Sequence, residues 1–496
     1  MVHRKPVSFF FIFSAWLGVC QPSVAAEPLE RGGRQQLPSS TDESRPNERT
    51  GPRVLNVEPR LPAPPGRPLE SVGRTLRDYG ISPHIDMTEI AMRNPSVGLD
   101  TGHGYAVTIF GLGADIALDK LANVKGGTVH FQELYAPWIS HQSVYGPDFG
   151  AQVGDTIAGS PTPFIPRVSH LALFTYEQRL MDDKLTIEVG KSNAGNYFGL
   201  PLCNVPFGCV NIIKQNTAAI NPPPYANWSA RVAYDFTPQW RGQVGAWRTD
   251  NNYPFTSGWE RSEGTGKSSV STTYLASLAY RTDYSMEAYP TNVEVFGFHN
   301  NGTQTDPYLT SKGTSKVGSA DPADTSKGVS GLYVGGKKTF WRADGGQGGA
   351  PNPTALSAYG AVTHTFDTDS TVGVSDVGNA GIILSAPFKS RPFDSYSVNL
   401  NWVKLTSREQ HFLEDAHALA TGGDSYSENR NEFTVGLDAN FILTDSIVLS
   451  PFVTRTFNAN SYLNPYSTDN PRDGYLIGLL FHMQIDQLLG LNGLKD

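Results

Sequence analysis

The sequence predicts an all-β protein, a transmembrane antiparallel β-barrel of about sixteen strands, and three observations carry that prediction. Stretches of about ten residues recur in which every second side chain is apolar, which gives one face for lipid and one for water. Beyond residue 26 no apolar run is long enough to cross a bilayer as a helix. Hydrophobic residues make up only 39% of the chain, while 50 glycines, 21 tyrosines and 25 phenylalanines supply bendable strands and interfacial rings, a poor recipe for the packed cores of a soluble protein this long. A barrel closes its backbone hydrogen bonds from strand to strand, so it can cross lipid with polar residues at half its positions. Residues 431–443 show the pattern best: Phe433, Val435, Leu437, Ala439, Phe441 and Leu443 share one face, and Glu432, Thr434, Gly436, Asp438 and Asn440 share the other.

The chain divides in order. His3, Arg4 and Lys5 precede an apolar run over 7–19, and small residues at 23–26 offer a cleavage site, so 1–26 reads as a secretory signal peptide with the mature protein starting near Glu27. Residues 27–68 are rich in Pro, Arg, Gly, Ser and Glu and form a disordered Pro-rich segment by composition. Within 69–100, Leu69, Val72, Leu76 and Tyr79 follow helical spacing, which predicts a short amphipathic helix ending at Gly80 and then a lead-in packed on the rim of the barrel. The barrel domain spans 101–485, and 486–496 forms a C-terminal tail.

Alternation places strands near 103–118, 127–136, 167–178, 184–191, 227–236, 240–249, 272–283, 291–300, 329–342, 355–366, 370–384, 393–405, 431–443, 446–457 and 474–485. That is fifteen, and the even strand numbers of single-chain bacterial barrels require one more. Very short links occur at 181–183, 237–239, 367–369 and 444–445, and long polar stretches at 137–166, 192–226, 250–271, 301–328, 343–354 and 406–430. Short turns at one end and long loops at the other are the asymmetry of an outer-membrane barrel, which predicts the bacterial cell outer membrane as the location. Lipid, lipopolysaccharide and the outer-membrane assembly machinery follow as partners of such a protein.

Charge and motifs remove other classes. Thirty-nine basic against 47 acidic residues leave a net charge of −8, with no basic face for nucleic acid. The segment EGTGKS at 263–268 has Arg261 where a phosphate-binding loop needs its first glycine, and no helical pattern follows, so it reads as a polar loop. His411 and His417 are spaced too far apart on a helix to share a metal. No nucleophile elbow occurs and spacing singles out no carboxylate pair, so no catalytic residues, metal or cofactor are expected. After signal removal Cys203 and Cys209 remain, spaced C-x5-C, and an oxidising compartment favours a small disulfide-closed loop over two free thiols.

Parity along each strand names the water-facing candidates. Outward Trp228, Val232, Tyr234 and Phe236 leave Arg231 and Asp235 inside. Arg241, Gln243 and Trp247 line the next strand, and Arg281, Glu294, Lys337, Asn399, Asn401, Asp438 and Asn440 follow by the same rule. Charged groups beside an aromatic face suit the hydroxyls of a neutral sugar held weakly enough to pass. The same residues can equally form ion pairs that stiffen the wall.

Residues 79–81 (YGI), 114–121 (ADIALDKL), 126–128 (GGT), 176–178 (YEQ), 184–191 (KLTIEVGK), the cysteine loop at 201–209, 228–231 (WSAR) and 391–394 (RPFD) occur in an order similar to that of the OprB-type carbohydrate-selective porins. The resemblance runs over most of 75–485, and it implies a sixteen-stranded outer-membrane porin through which monosaccharides and similar small sugars diffuse passively. Alternative functions are a general porin for hydrophilic solutes or, from another class, an exported β-rich sugar-binding protein or enzyme, which would partition as a soluble protein.

Overall fold

The computed structural model describes residues 66–139, 146–159, 169–199, 202, 225–249, 257–260, 271–347, 352–366 and 373–491. Among them sixteen strands form one closed antiparallel barrel. They are β1 (Ile81–Arg93), β2 (Gly104–Ala117), β3 (Gly127–Ile139), β4 (Ser169–Leu180), β5 (Leu185–Ser192), β6 (Asn227–Asp235), β7 (Trp240–Thr249) and β8 (Ser271–Arg281), followed by β9 (Thr291–Thr310), β10 (Ala323–Arg342), β11 (Ala355–Thr365), β12 (Val374–Ser385), β13 (Ser395–Leu405), β14 (Asn431–Thr444), β15 (Ile447–Phe457) and β16 (Gly474–Gln484). Each strand pairs with its neighbours in sequence, and β1 closes on β16 from Asp86↔Gln484 to Arg93↔Ile477. No helix among the described residues is long and apolar enough to cross a membrane.

The outer face is apolar. Val435, Leu437, Val398, Leu400, Ile477 and Leu479 are all exposed large hydrophobics, on β13, β14 and β16. Aromatic pairs gather toward the strand ends, with Trp240 against Tyr280 at 5.1 Å between centroids and Tyr234 against Phe236 at 5.2 Å, the belt expected where hydrocarbon meets headgroups.

Three departures from the sequence-based expectation have physical reasons. The sixteenth strand is β1, which lies ahead of the boundary expected at residue 101, in the segment expected as lead-in. Its alternation is disguised because Ile90 and Met92 face inward onto a dry cluster with Tyr105, Val107, Phe149, Val153, Leu476 and Leu480. β9 and β10 run 20 residues each, so most of the loop expected at 301–328 is a hairpin standing beyond the barrel rim. Connections after odd-numbered strands gather at one end and those after even-numbered strands at the other, which puts 343–354 with the short turns and the short link 367–369 with the long loops. Residues 367–369 themselves lie outside the described residues.

Helices occupy both ends. Glu70–Asp78 is the predicted amphipathic helix, and it lies against the short helix Ile485–Leu489 that follows β16. Leu69 N donates to Leu489 O at 2.8 Å, the Arg67 guanidinium pairs with Asp445 in the β14–β15 turn, and Gly73 meets the Gly490 carbonyl so closely that no Cβ fits between them. At the other end, Ser407–Thr421 is a helix inside the stretch expected as a loop. Thr406 caps its start, the hydroxyl accepting from Glu409 N at 3.1 Å, and it stops at Gly422, whose φ of 79° is left-handed.

Candidate functional site

Inward-facing strand residues and three segments that fold into or over the lumen build the site. The first segment follows β5. The Asn193 side chain accepts from Gly195 N at 2.8 Å and donates to Tyr225 O at 3.0 Å, which turns the chain off the wall. The Tyr197 hydroxyl donates to Glu188 Oε1 at 2.7 Å, and the Gln243 amide donates to Tyr197 O at 2.8 Å. Phe198 is fully buried between Trp247 and Phe296, edge-on to both, and Phe296 stacks on Tyr333 at 4.5 Å. Gly199 N then donates to Glu294 Oε2 at 3.0 Å, and Leu202 packs on Tyr359 and Ile383. The segment therefore starts at β5, runs past β7, β9 and β10, and reaches β11 and β12 inside the barrel, narrowing it.

The second segment is the helix Gly146–Val153 with the turn after it, which enters the mouth between β2 and β14: Phe149 stacks on Tyr105 at 6.1 Å, and Thr156 N and Ile157 N donate to Glu432 at 3.0 and 3.1 Å. The third is the helix Ser407–Thr421, whose Leu413 joins Phe198, Trp247, Val377, Val403 and Leu405 in one apolar cluster. Asp415 on its outer side accepts from Tyr308 and Ser315 of the β9–β10 hairpin at 3.0 and 2.8 Å, and Arg408 pairs with Asp306. Burial pushes the Glu409 carboxyl up to about 8, and the nearby Lys316 opposes that rise.

All twelve sequence-named candidates lie on strands of the barrel. Arg231 is buried and doubly bound: Nη2 lies 2.6 Å and Nε 3.2 Å from Glu188 Oε2, and the guanidinium covers the Tyr197 ring at 4.3 Å. Arg241 is buried, 3.7 Å from the half-buried Asp235 opposite it in register. Trp247 is only 1% exposed, with Nε1 donating to Ser192 Oγ at 3.1 Å, so its face is covered by Tyr197 and Phe198 and is withheld from solute. Glu294 anchors Gly199. Asn399 donates to Asp438 at 2.8 Å, Ser397 also binds Asp438, and Asn440 accepts from Ser450 at 2.8 Å, so this wall is internally bonded. Arg281 and Lys337 keep partial exposure and are aligned through one residue, each being the register partner of Asn292 on β9. Asp235, Arg281 and Lys337 are thus the charged candidates that keep partial exposure.

Sequence parity missed Glu188 and Glu177, which hold Arg231 and Arg179, and missed Phe198, which no alternation marks because it lies in a connection. Cys203 and Cys209 lie outside the described residues. No cluster of metal-ligating groups occurs among the described residues.

The family described as carbohydrate-selective porin, OprB family, matches residues 107–485. Among solved structures the chain is similar to OprB of Pseudomonas putida at high pH, with a TM-score of 0.67 and 17% identity over 83% of this chain and 95% of that one. The low-pH structure of the same protein gives a TM-score of 0.48 at 13% identity over 83% and 94%. OmpF of Salmonella typhi gives 0.45 at 10% identity over 82% and 99%. No curated protein matches the chain.

Proposed function

The chain belongs to the OprB family of carbohydrate-selective porins, and from that premise we propose how this outer-membrane channel selects the small sugars it passes. Its family and fold are those of a channel rather than an enzyme. The observation that carries the reading is the polar lumen of a closed barrel into which residues 193–199 and Leu202 fold. Solute meets Asp235, Arg281 and Lys337, whose donors and carboxylate oxygens match sugar hydroxyls without a deep pocket, as passage by diffusion requires. Arg231, Arg241 and Glu294 act behind them, holding the wall and the crossing segment in place. Trp247 contributes by seating Phe198 rather than by stacking on a sugar ring. The first 26 residues serve as the export signal, and lipid, lipopolysaccharide and the assembly machinery are the partners such a barrel needs.

Liposome swelling with purified protein tests the reading. Monosaccharides should enter faster than non-sugar solutes of equal size, and Arg281→Ala with Lys337→Ala should flatten that difference. Equal rates for all solutes in the wild type would favour a general porin.

A further inference from the structure

Two carboxyls meet inside the mouth where the connection between β3 and β4 enters the barrel. Gly154, with φ of 81°, turns the chain inward, and Asp155, Thr156 and Glu432 are fully buried there. Counting donors shows which oxygens are occupied. Glu432 Oε2 accepts from Thr156 N at 3.0 Å and Asn460 Nδ2 at 2.8 Å, and Oε1 accepts from Ile157 N at 3.1 Å. Asp155 Oδ1 accepts from Ala158 N at 2.5 Å and Gly159 N at 3.0 Å, whereas Asp155 Oδ2 has no donor. The remaining lone pairs are one on Glu432 Oε1 and both on Asp155 Oδ2. Two carboxylates cannot hydrogen-bond to each other without a proton, and these two are both fully buried, with Glu432 held by the two backbone N–H groups that directly follow Asp155.

We infer that Asp155 and Glu432 share a single proton that fastens residues 155–159 to the inside of β14, and that its loss at alkaline pH releases this segment and opens the mouth. The inference rests on the reading of the barrel as a channel. Burial holds the Asp155 carboxyl above the usual carboxylate range. The docked state binds one proton more than the released state, so docking weakens as pH rises. After deprotonation two like charges would face each other in a dry site, where their repulsion is weakly screened.

The other charged groups on the packed elements are engaged elsewhere or approach by backbone. Glu428 accepts from Ser461 Oγ at 2.9 Å, Asp473 accepts from Ala459 N at 2.9 Å, and Arg430 donates to Leu405 O at 3.1 Å. Asp100 pairs with His103 at 2.9 Å, and Arg472 reaches the neighbouring Gly98 through its main chain. Asp148 lies on the entering helix itself, and Asp469 on the connection between β15 and β16. A divalent cation fits less well than a proton, because two open oxygens fall far short of the six to eight ligands of calcium.

Single-channel conductance of the purified full chain in planar bilayers, read from mildly acidic to alkaline pH, tests the inference. The wild type should show a reversible rise with pH. Asp155→Asn keeps the accepting oxygen for Ala158 and Gly159 and donates to Glu432 without titrating, so the rise should be lost and conductance should stay at the low level. Glu432→Gln turns an amide donor toward backbone N–H groups and should give the high level at every pH. Limited proteolysis of the wild type reads the segment independently of current, and cleavage within 146–159 should appear only at alkaline pH. An Asp155→Asn channel that keeps the full wild-type rise would overturn the shared proton, as would a rise produced by a chelator at constant neutral pH, or a cleavage pattern indifferent to pH. A wild type that conducts at no pH would count against the channel reading, while the proteolysis arm would still decide the fastening.

Discussion

Glu188 and Arg231 stand directly opposite one another on β5 and β6, and the oxygen that accepts the guanidinium belongs to the carboxylate that also receives the Tyr197 hydroxyl. One carboxylate thus ties a wall strand to the segment that narrows the lumen, with the two jobs split between its two oxygens. Replacing Arg231 by alanine leaves that carboxylate buried without a counter-charge, a change that costs about 3 to 5 kcal/mol. The variant should unfold at lower denaturant in a gel-shift assay, and its conductance should rise as Tyr197 loosens. Arg231→Lys should recover little of either property, because a lysine lacks the planar fork and the stacking face.

The barrel exterior yields a sidedness test. Leu437 is 55% exposed on the lipid face and Asp438 is buried on the inner face of the same strand. Leu437→Arg near mid-strand should hinder insertion by about 2 to 4 kcal/mol. Asp438→Asn, which keeps an acceptor for Ser397, should leave the folded band on an unheated gel in place. Equal defects in both variants would mean that the faces are reversed.

Phe198 offers a sharper probe of the constriction than any charged residue. Its ring fills the space between Trp247 and Phe296, and Phe198→Ala should cost about 3 to 5 kcal/mol of local packing. The barrel ladder does not depend on that ring. The expected outcome is an intact heat-modifiable barrel with larger and noisier single-channel steps and weaker discrimination among sugars in liposome swelling.

At the opposite end, Gly73→Ala should undock the N-terminal helix, since the new methyl would collide with the Gly490 carbonyl. Protease should then cut within 66–79 while the barrel remains resistant. An unchanged digestion pattern would show that the helix can shift to admit a methyl group.

How far the sequence could be read depended on what lies against each strand. β14 was legible from Phe433 to Leu443 because lipid covers one face and polar groups the other. β1 was not, because Ile90 and Met92 point into an interior that Phe149 and Val153 keep dry, so both faces of its upper half look mixed. Parity likewise put Trp247 on the inner face but carried no information about what covers it. Phe198, Glu188 and the pair of Asp155 with Glu432 acquire their roles from the paths of connections, and those paths have no periodicity for a sequence to display.

The pairing of β1 with β16 has a consequence for the order of assembly. Nearly the whole chain lies between the two strands that meet at that seam, so the ring cannot be completed by any N-terminal portion, however long. Until Gly474–Gln484 arrives, β1 and the most recently added strand both present open rows of amide and carbonyl groups, the feature that drives strands from different molecules to join. The entropic cost of bringing distant ends together also falls on this last step, which makes closure slow and cooperative. Losing only the final strand should therefore remove the barrel as a whole rather than one-sixteenth of it, and leave a species prone to aggregate.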